Sequence, residues 1–274
     1  MLIGRLDLAV QPYVVMGILN LTPDSFSDGG QYLALENAVE RALQMAVEGA
    51  DIIDIGGEST RPGAAPLSAD EEISRVVPVI KALRLQSDIA ISIDTSKPEV
   101  MEAAVEAGAN LINDVRALQK KNALQVAANL NVPVCLMHMQ GQPRSMQNKP
   151  EYKDVVRDVM SFLQQRVDDC VDAGISRDQI MIDPGFGFGK TLGHNLSLLK
   201  HLSEFVSMEQ PVLMGISRKS MLGQIAGAEV DQRLAAGLAT TALGFQAGVR
   251  VFRVHDVKET VDVLKVCSAV ETAK

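Results

Sequence analysis

The segment EGADIIDIGG, residues 48–57, decides how this chain is to be read. It ends a helical run on Gly49, enters a short β-branched stretch almost at once, and leaves it for the polar residues Glu58, Ser59, Thr60 and Arg61. The same order returns in EAGANLINDV (106–115) and QAGVRVFRVHDV (246–257), with Gly108 and Gly248 in the place of Gly49. A glycine there suits the left-handed residue that closes a helix. Repeated helix–glycine–strand units imply parallel strands joined by right-handed helical crossovers.

Working outward, eight such strands are predicted: VVMGIL (14–19), DIIDIG (51–56), AISI (90–93), NLIN (110–113), VPVCLM (132–137), IMID (180–183), PVLMGI (211–216) and VRVFRV (249–254). Between them, apolar residues recur at three- and four-residue spacing over 34–49, 68–84, 97–108 and 231–248, which predicts helices. Ser68 and Glu71 have the spacing of a capping box at the start of the second. Eight units in one chain of 274 residues predict an α/β fold, a single (β/α)8 barrel domain over 1–274. An open doubly wound sheet is the alternative, but its glycine-rich dinucleotide turn is missing after the first strand, where NLTPDSF stands.

The totals agree with a large buried core: 47% of residues are hydrophobic and 22% charged. Net charge is −8, with no basic stripe, so duplex nucleic acid is excluded as a natural partner. Cys135, Cys170 and Cys267 have no metal or disulfide spacing, which points to a reducing compartment. No stretch approaches the ~18 apolar residues of a membrane span, and the N-terminus lacks a signal-peptide pattern. A cytoplasmic protein without membrane contact is expected.

Every predicted strand ends in polar residues: Asn20; Glu58 to Arg61; Asp94 to Ser96; Asn113 and Asp114; His138; Asp183; Ser217 to Lys219; Arg253 and His255. In a barrel these ends converge on one face, where enzymes of this architecture build their sites. Asp94, Asn113 and Asp183 together suit a flat heterocycle with N–H and ring-nitrogen edges, such as a pteridine or guanine-like ring. Each alone could instead cap the helix that follows. DPGFGFGK (183–190) is not a phosphate-binding Walker loop, since only three residues separate Gly185 from Gly189 and Lys190. It reads as a tight turn that leans Phe186 or Phe188 over a flat ligand. Lys219 lies near the mouth, whereas Arg218 reads as a solvated charge. Arg253 and His255, two apart, form an anion pocket with Asn20, whose amide oxygen could also serve Mg²⁺. His138 is balanced between a ligand and a satisfied interior histidine. NLTPDSFSDGG (20–30) and GGESTRPGA (56–64) are longer than ordinary connections and read as lids over the mouth.

In order and spacing, NLTPDSFSDGG, GGESTRPGA, SIDTSKP, INDVRA, LMHMQG, DPGFGFGK, GISRKS and RVHDV closely resemble the bacterial dihydropteroate synthases, from Val14 to about Val266. The resemblance implies condensation of hydroxymethyl-dihydropterin diphosphate with p-aminobenzoate to give dihydropteroate and pyrophosphate, in folate biosynthesis. It implies a stand-alone form without a fused pterin kinase or aldolase. It places the pterin on Asp94, Asn113, Met137, Asp183, Phe188 and Lys219. The diphosphate falls to Asn20, Arg61, Arg253 and His255, with Mg²⁺ on Asn20. p-Aminobenzoate falls to Phe26, Thr60, Pro62, Phe188, Lys219 and Ser220. Asp94, Asp183, Lys219 and Arg253 carry the catalysis, sulfonamides compete with p-aminobenzoate, and the enzyme is a homodimer through its last two helices. The rival readings are a pterin-dependent methyltransferase, which needs no diphosphate pocket, and an inactive pterin-binding paralogue, which would have lost residues such as Asn20, Lys219, Arg253 or His255.

Overall fold

The computed structural model describes residues 1–21, 30–59, 67–141, 146 and 150–273, and the side chains of 30–33 are left aside. Phe26, Thr60, Arg61 and Pro62, and the middle of both expected lids (22–29 and 60–64), therefore lie outside the described residues. A hairpin, β1 (Leu2–Ile3) and β2 (Leu6–Asp7), precedes eight strands. These are β3 (Val14–Asn20), β4 (Ile52–Gly56), β5 (Ala90–Asp94), β6 (Leu111–Asp114), β7 (Val134–Met137), β8 (Ile180–Asp183), β9 (Leu213–Met214) and β10 (Val251–Val254). Their hydrogen-bonded order is β8-β7-β6-β5-β4-β3-β10-β9, every pair parallel, and a bridge from Ile182 to Val212 joins the two ends. The sheet is closed, so the open doubly wound alternative is excluded.

The helices are α1 (Gly30–Glu48), α2 (Ala69–Arg84), α3 (Pro98–Ala107), α4 (Ala123–Leu130), α5 (Val155–Asp172), α6 (Leu192–Lys200), α7 (Leu202–Val206), α8 (Ser220–Ala226), α9 (Leu234–Gln246) and α10 (Val257–Glu271). Gly49, Gly108 and Gly248 end α1, α3 and α9 at φ values of +104°, +118° and +99°, as the repeat requires. Ser68 and Glu71 form the expected capping box at α2. Two expectations need correction. The run at 211–216 makes only a two-residue ladder, in part because Pro211 gives Ile182 a carbonyl acceptor but has no N–H of its own. The helix expected from 231 begins at Leu234, after a 3₁₀ turn at Val230–Gln232. Arg233 holds that junction by donating to the carbonyls of Ala228 and Arg218, at 3.1 and 3.0 Å.

Two apolar layers follow from the two-residue period of a strand. One lies between sheet and helices, with Val15, Ile53, Ile91, Ile112, Leu136, Ile182 and Phe252 facing out. The other fills the lower barrel with Met16, Ile52, Ala90, Leu111, Cys135, Met181, Leu213 and Val251, closed from beneath by Ile3 of the hairpin. Two residues further along each of these strands the inward face changes character: Ile18, Asp54, Ser92, Asn113, Met137, Asp183, Gly215 and Arg253. The lower barrel is thus a hydrophobic plug and the upper barrel a polar floor.

Because Ser68 is exposed and caps α2 outside this polar region, Ser68→Ala should lower stability by about 1 kcal/mol and leave turnover unchanged. Urea unfolding midpoints beside steady-state rates would check this.

Candidate active site

Asp54, absent from the residues that sequence reasoning singled out, is the most enclosed charge of the floor, with no exposed surface. Its Oδ2 accepts from Arg253 Nε at 2.6 Å, and the same oxygen accepts from Asn113 Nδ2 at 3.2 Å. Arg253 Nη2 donates to Asp94 Oδ2 at 2.7 Å. One guanidinium thus bridges carboxylates from β4 and β5 while standing on β10. The signal for Asp54 was present in sequence: an acidic residue inside an otherwise apolar strand, which is expensive to bury without a partner. Its partner lies 199 positions away, beyond the reach of any local pattern.

Crowding of charge in a desolvated space moves the protonation equilibria. Burial raises the Asp94 carboxyl to about 7, opposed by Arg253 and reinforced by Asp54 and Asp114. Burial likewise raises Asp183, while Lys219 and the Gly185 N–H, 2.7 Å from Asp183 Oδ1, favour its ionised form. Burial lowers Lys219 to about 8 against the attraction of Asp183. Burial opposes the charge on Arg253 too, yet Asp54 and Asp94 outweigh it and hold the guanidinium protonated.

Asp183 does not cap a helix. It opens the turn 184–190, whose Gly185, Gly187 and Gly189 take φ values of +70°, +78° and +62°. A Cβ on Gly185 would lie 1.9 Å from the His138 carbonyl oxygen. The turn separates its two aromatics. Phe186 is wholly buried in the sheet–helix layer, and Phe188 lies half-exposed beneath the Lys219 ammonium, 4.6 Å from ring centroid to Nζ. Of the pair left open by the sequence, Phe188 is the one at the mouth. Lys219 Nζ also donates to the Phe186 carbonyl.

The remaining residues take these places. Asn20 ends β3 and pairs in register with Gly56, and Asp94 pairs with Gly56 and Asn113. Met137 ends β7, paired with Asp183 and buried. Ser220 opens α8 and is exposed. His255 lies just past β10, where its Nδ1 is 3.1 Å from Ser217 Oγ, while Arg253 turns inward to the carboxylates. Arg218 is exposed, as expected, but it is ion-paired with Asp256, which ties the end of β9 to the end of β10. His138 is interior and neutral: burial lowers it to about 3. Gly56 and Gly215 keep side chains out of the space between these groups, since a Cβ on Gly215 would sit 3.8 Å from Arg253 and 4.0 Å from Asp183.

Residues 16–255 match the family described as pterin binding enzyme. The dihydropteroate synthase of Haemophilus influenzae is 52% identical over 98% of this chain and 97% of its own. This chain belongs to the dihydropteroate synthase family. A crystal structure of the Yersinia pestis dihydropteroate synthase with a sulfonamide drug complex is 50% identical, with a TM-score of 0.92 over 98% of this chain and 97% of that one. The Xanthomonas albilineans dihydropteroate synthase in complex with 7,8-dihydropteroate is 46% identical, with a TM-score of 0.89 over 98% of this chain and 97% of that one. Members of the family therefore share this barrel nearly end to end.

Three substitutions check the geometry. Asp54→Ala leaves Arg253 Nε and Asn113 Nδ2 without their buried acceptor and should cost about 3–5 kcal/mol in unfolding free energy, together with most of the turnover. Gly185→Ala should cost about 3 kcal/mol or more through clash and left-handed strain. Gly174→Ala, at φ +98° with nothing within 4 Å, should cost about 1 kcal/mol. Equal losses for the two glycines in thermal unfolding would refute the packing assigned to Gly185.

Proposed function

We propose that this chain condenses hydroxymethyl-dihydropterin diphosphate with p-aminobenzoate, releasing pyrophosphate and dihydropteroate. The observation that carries the reading is the mixed-charge floor of Asp54, Asp94, Asn113, Asp183, Lys219 and Arg253, in a chain of this family. The pterin edge is rich in N–H donors and ring acceptors, and Asp94, Asn113, Asp183 and Lys219 offer complementary groups. Met137 and Phe188 supply the apolar contacts to its faces. Asn20, Arg253 and His255 receive the diphosphate, with Arg61 joining them. p-Aminobenzoate lies among Phe188, Lys219 and Ser220, completed by Phe26, Thr60 and Pro62.

The bond that breaks joins the pterin methylene carbon to the bridging oxygen of the diphosphate, which leaves with the electron pair. The aniline nitrogen then forms the new C–N bond and releases a proton. Carboxylates near the pterin favour the developing cation, and Arg253 and His255 favour the departing anion. This favours a dissociative substitution. Arg253 can serve both sides: its guanidinium has five N–H donors, and its bonds to Asp54 and Asp94 use two.

Mg²⁺ belongs to the same proposal, held through Asn20. The donor set fits, because a single neutral amide oxygen suits an ion that keeps its waters and takes its other ligands from phosphate. Among the described residues, no group of three or more His, Cys, Asp or Glu is arranged to cage a metal. When bound, the ion would neutralise charge on the diphosphate.

A homodimer through the last helices is supported by exposed apolar side chains there, among them Leu243 on α9 and Val266 and Val270 on α10, the last 71% exposed. A cytoplasmic location is supported by three unpaired cysteines. No helix among the described residues is long and apolar enough to cross a membrane.

Pyrophosphate release should require both substrates and Mg²⁺ and be blocked by a sulfonamide. Release without p-aminobenzoate dependence would refute the reading, and methyl transfer would establish the rival enzyme. An oxygen-18 label at the bridging position should scramble without p-aminobenzoate if the substitution is dissociative. The pH profile follows from the two perturbed groups: Asp94 is ionised above about 7 and Lys219 is charged below about 8. Plotted against pH, kcat/KM should peak in that narrow window. Lys219→Arg, which cannot titrate there, should lose the alkaline fall whatever its absolute rate.

A further inference from the structure

Lys190 carries a buried amine that none of the steps above uses, 3% exposed beneath the rim, and burial pulls its pKa well below the ordinary lysine value. Its Nζ has four neighbouring acceptors: His138 Nδ1 at 2.9 Å, the Gly185 carbonyl at 2.9 Å, the Phe188 carbonyl at 3.1 Å and the His138 carbonyl at 3.3 Å. A lysine amine has at most three N–H donors, so four acceptors leave none of them without a partner. All four partners are neutral, and they come from two separate connections, the one after β7 and the one after β8.

His138 fits this role from the other side. As a neutral imidazole it keeps a lone pair on Nδ1 for the Lys190 amine, with the proton placed on Nε2 by that bond. Its ring is wedged edge-on against Phe162, 4.9 Å between centroids. The rest of the turn is braced from the same back side. Tyr152 donates its hydroxyl to the Gly189 carbonyl at 2.8 Å, and Asn195 Oδ1 accepts from Gly187 N–H at 2.7 Å. What the turn presents forward is the Phe186 carbonyl and the Phe188 ring, both of which hold Lys219 Nζ.

We propose that Lys190, seated on His138, is a positioning residue for the condensation: it locks the glycine turn so that Phe186 and Phe188 aim Lys219 at the substrates. A turn with three left-handed glycines has little stiffness of its own. A tetrahedral donor that binds two of its carbonyls and the neighbouring connection supplies that stiffness, and no apolar side chain could. Lys190 acts through Lys219, and the proposal rests on the reading that Lys219 contacts substrate.

A double-mutant cycle tests it, read as the affinity for dihydropteroate by titration calorimetry and as kcat/KM, on variants shown to be folded by circular dichroism. Lys219→Met alone should weaken dihydropteroate binding at least tenfold; no change would overturn the substrate reading itself. Lys190→Met should weaken binding about tenfold in the wild-type background and less than twofold when Lys219→Met is already present, because the element it aims is gone. Multiplicative losses, with Lys219→Met impaired on its own, would overturn the positioning role and leave the function standing. If Lys190→Met does not fold, Lys190→Gln, which keeps two N–H donors, goes through the same cycle. It should show a smaller loss that is again absent from the Lys219→Met background, and a loss that persists there overturns the proposal.

Discussion

Arg253 stands where carboxylates from three strands would otherwise face one another in a space closed to water. Without a cation, ionised Asp54 and Asp94 would repel at short range in a low dielectric, and the favoured outcome would be protonation or unfolding. The guanidinium converts that repulsion into two charge-assisted hydrogen bonds and leaves further N–H donors pointing elsewhere. The apolar plug below it is the other half of the arrangement. Met16, Ile52, Leu111, Met181 and their neighbours exclude water from beneath, so charges above them interact strongly and shift one another's equilibria.

Around this centre the barrel separates binding surface from support. Glu58, Lys97 and Glu72 form a second, partly buried ion network, in which Lys97 Nζ meets Glu58 at 2.6 Å and also meets Glu72. Glu58 in turn accepts from the Leu67 N–H at 3.0 Å, so this network ties β4's exit to the start of α2. Asp114 accepts from the Arg116 and Leu118 N–H groups and from the Ser96 hydroxyl, which makes it a turn former and leaves its neighbour Asn113 to face the floor. Polar residues at the strand ends therefore do two jobs. Those on the inward register line the polar floor, and those one step out of register hold loops.

That division explains what could be read in advance. Asp94, Asn113 and Asp183 were legible because each ends an apolar run, and the strand period puts all three on the inward face. Gly49, Gly108 and Gly248 were legible because a helix end needs a left-handed residue. Asp54 was missed because it lies inside its strand and not at the end. Phe186 and Phe188 have the same period-two spacing as strand residues, but they sit in a glycine turn where that period has no meaning. Lys190 read as part of a failed Walker pattern, and only the packing of two connections shows it to be an internal brace.

By itself the sequence determined the alternation of strand and helix, the left-handed helix ends and the polar rim, since each follows from spacing over a few residues. Membership of the pterin-binding family was equally legible, because its motifs are short and ordered along the chain. Tertiary structure alone decided which charge meets which. The bonds from Arg253 to Asp54 and Asp94 span 199 and 159 positions, and that from Lys190 to His138 spans 52. Ionic and hydrogen-bond energies depend on distance in space and on exclusion of water, and closure of the barrel sets both.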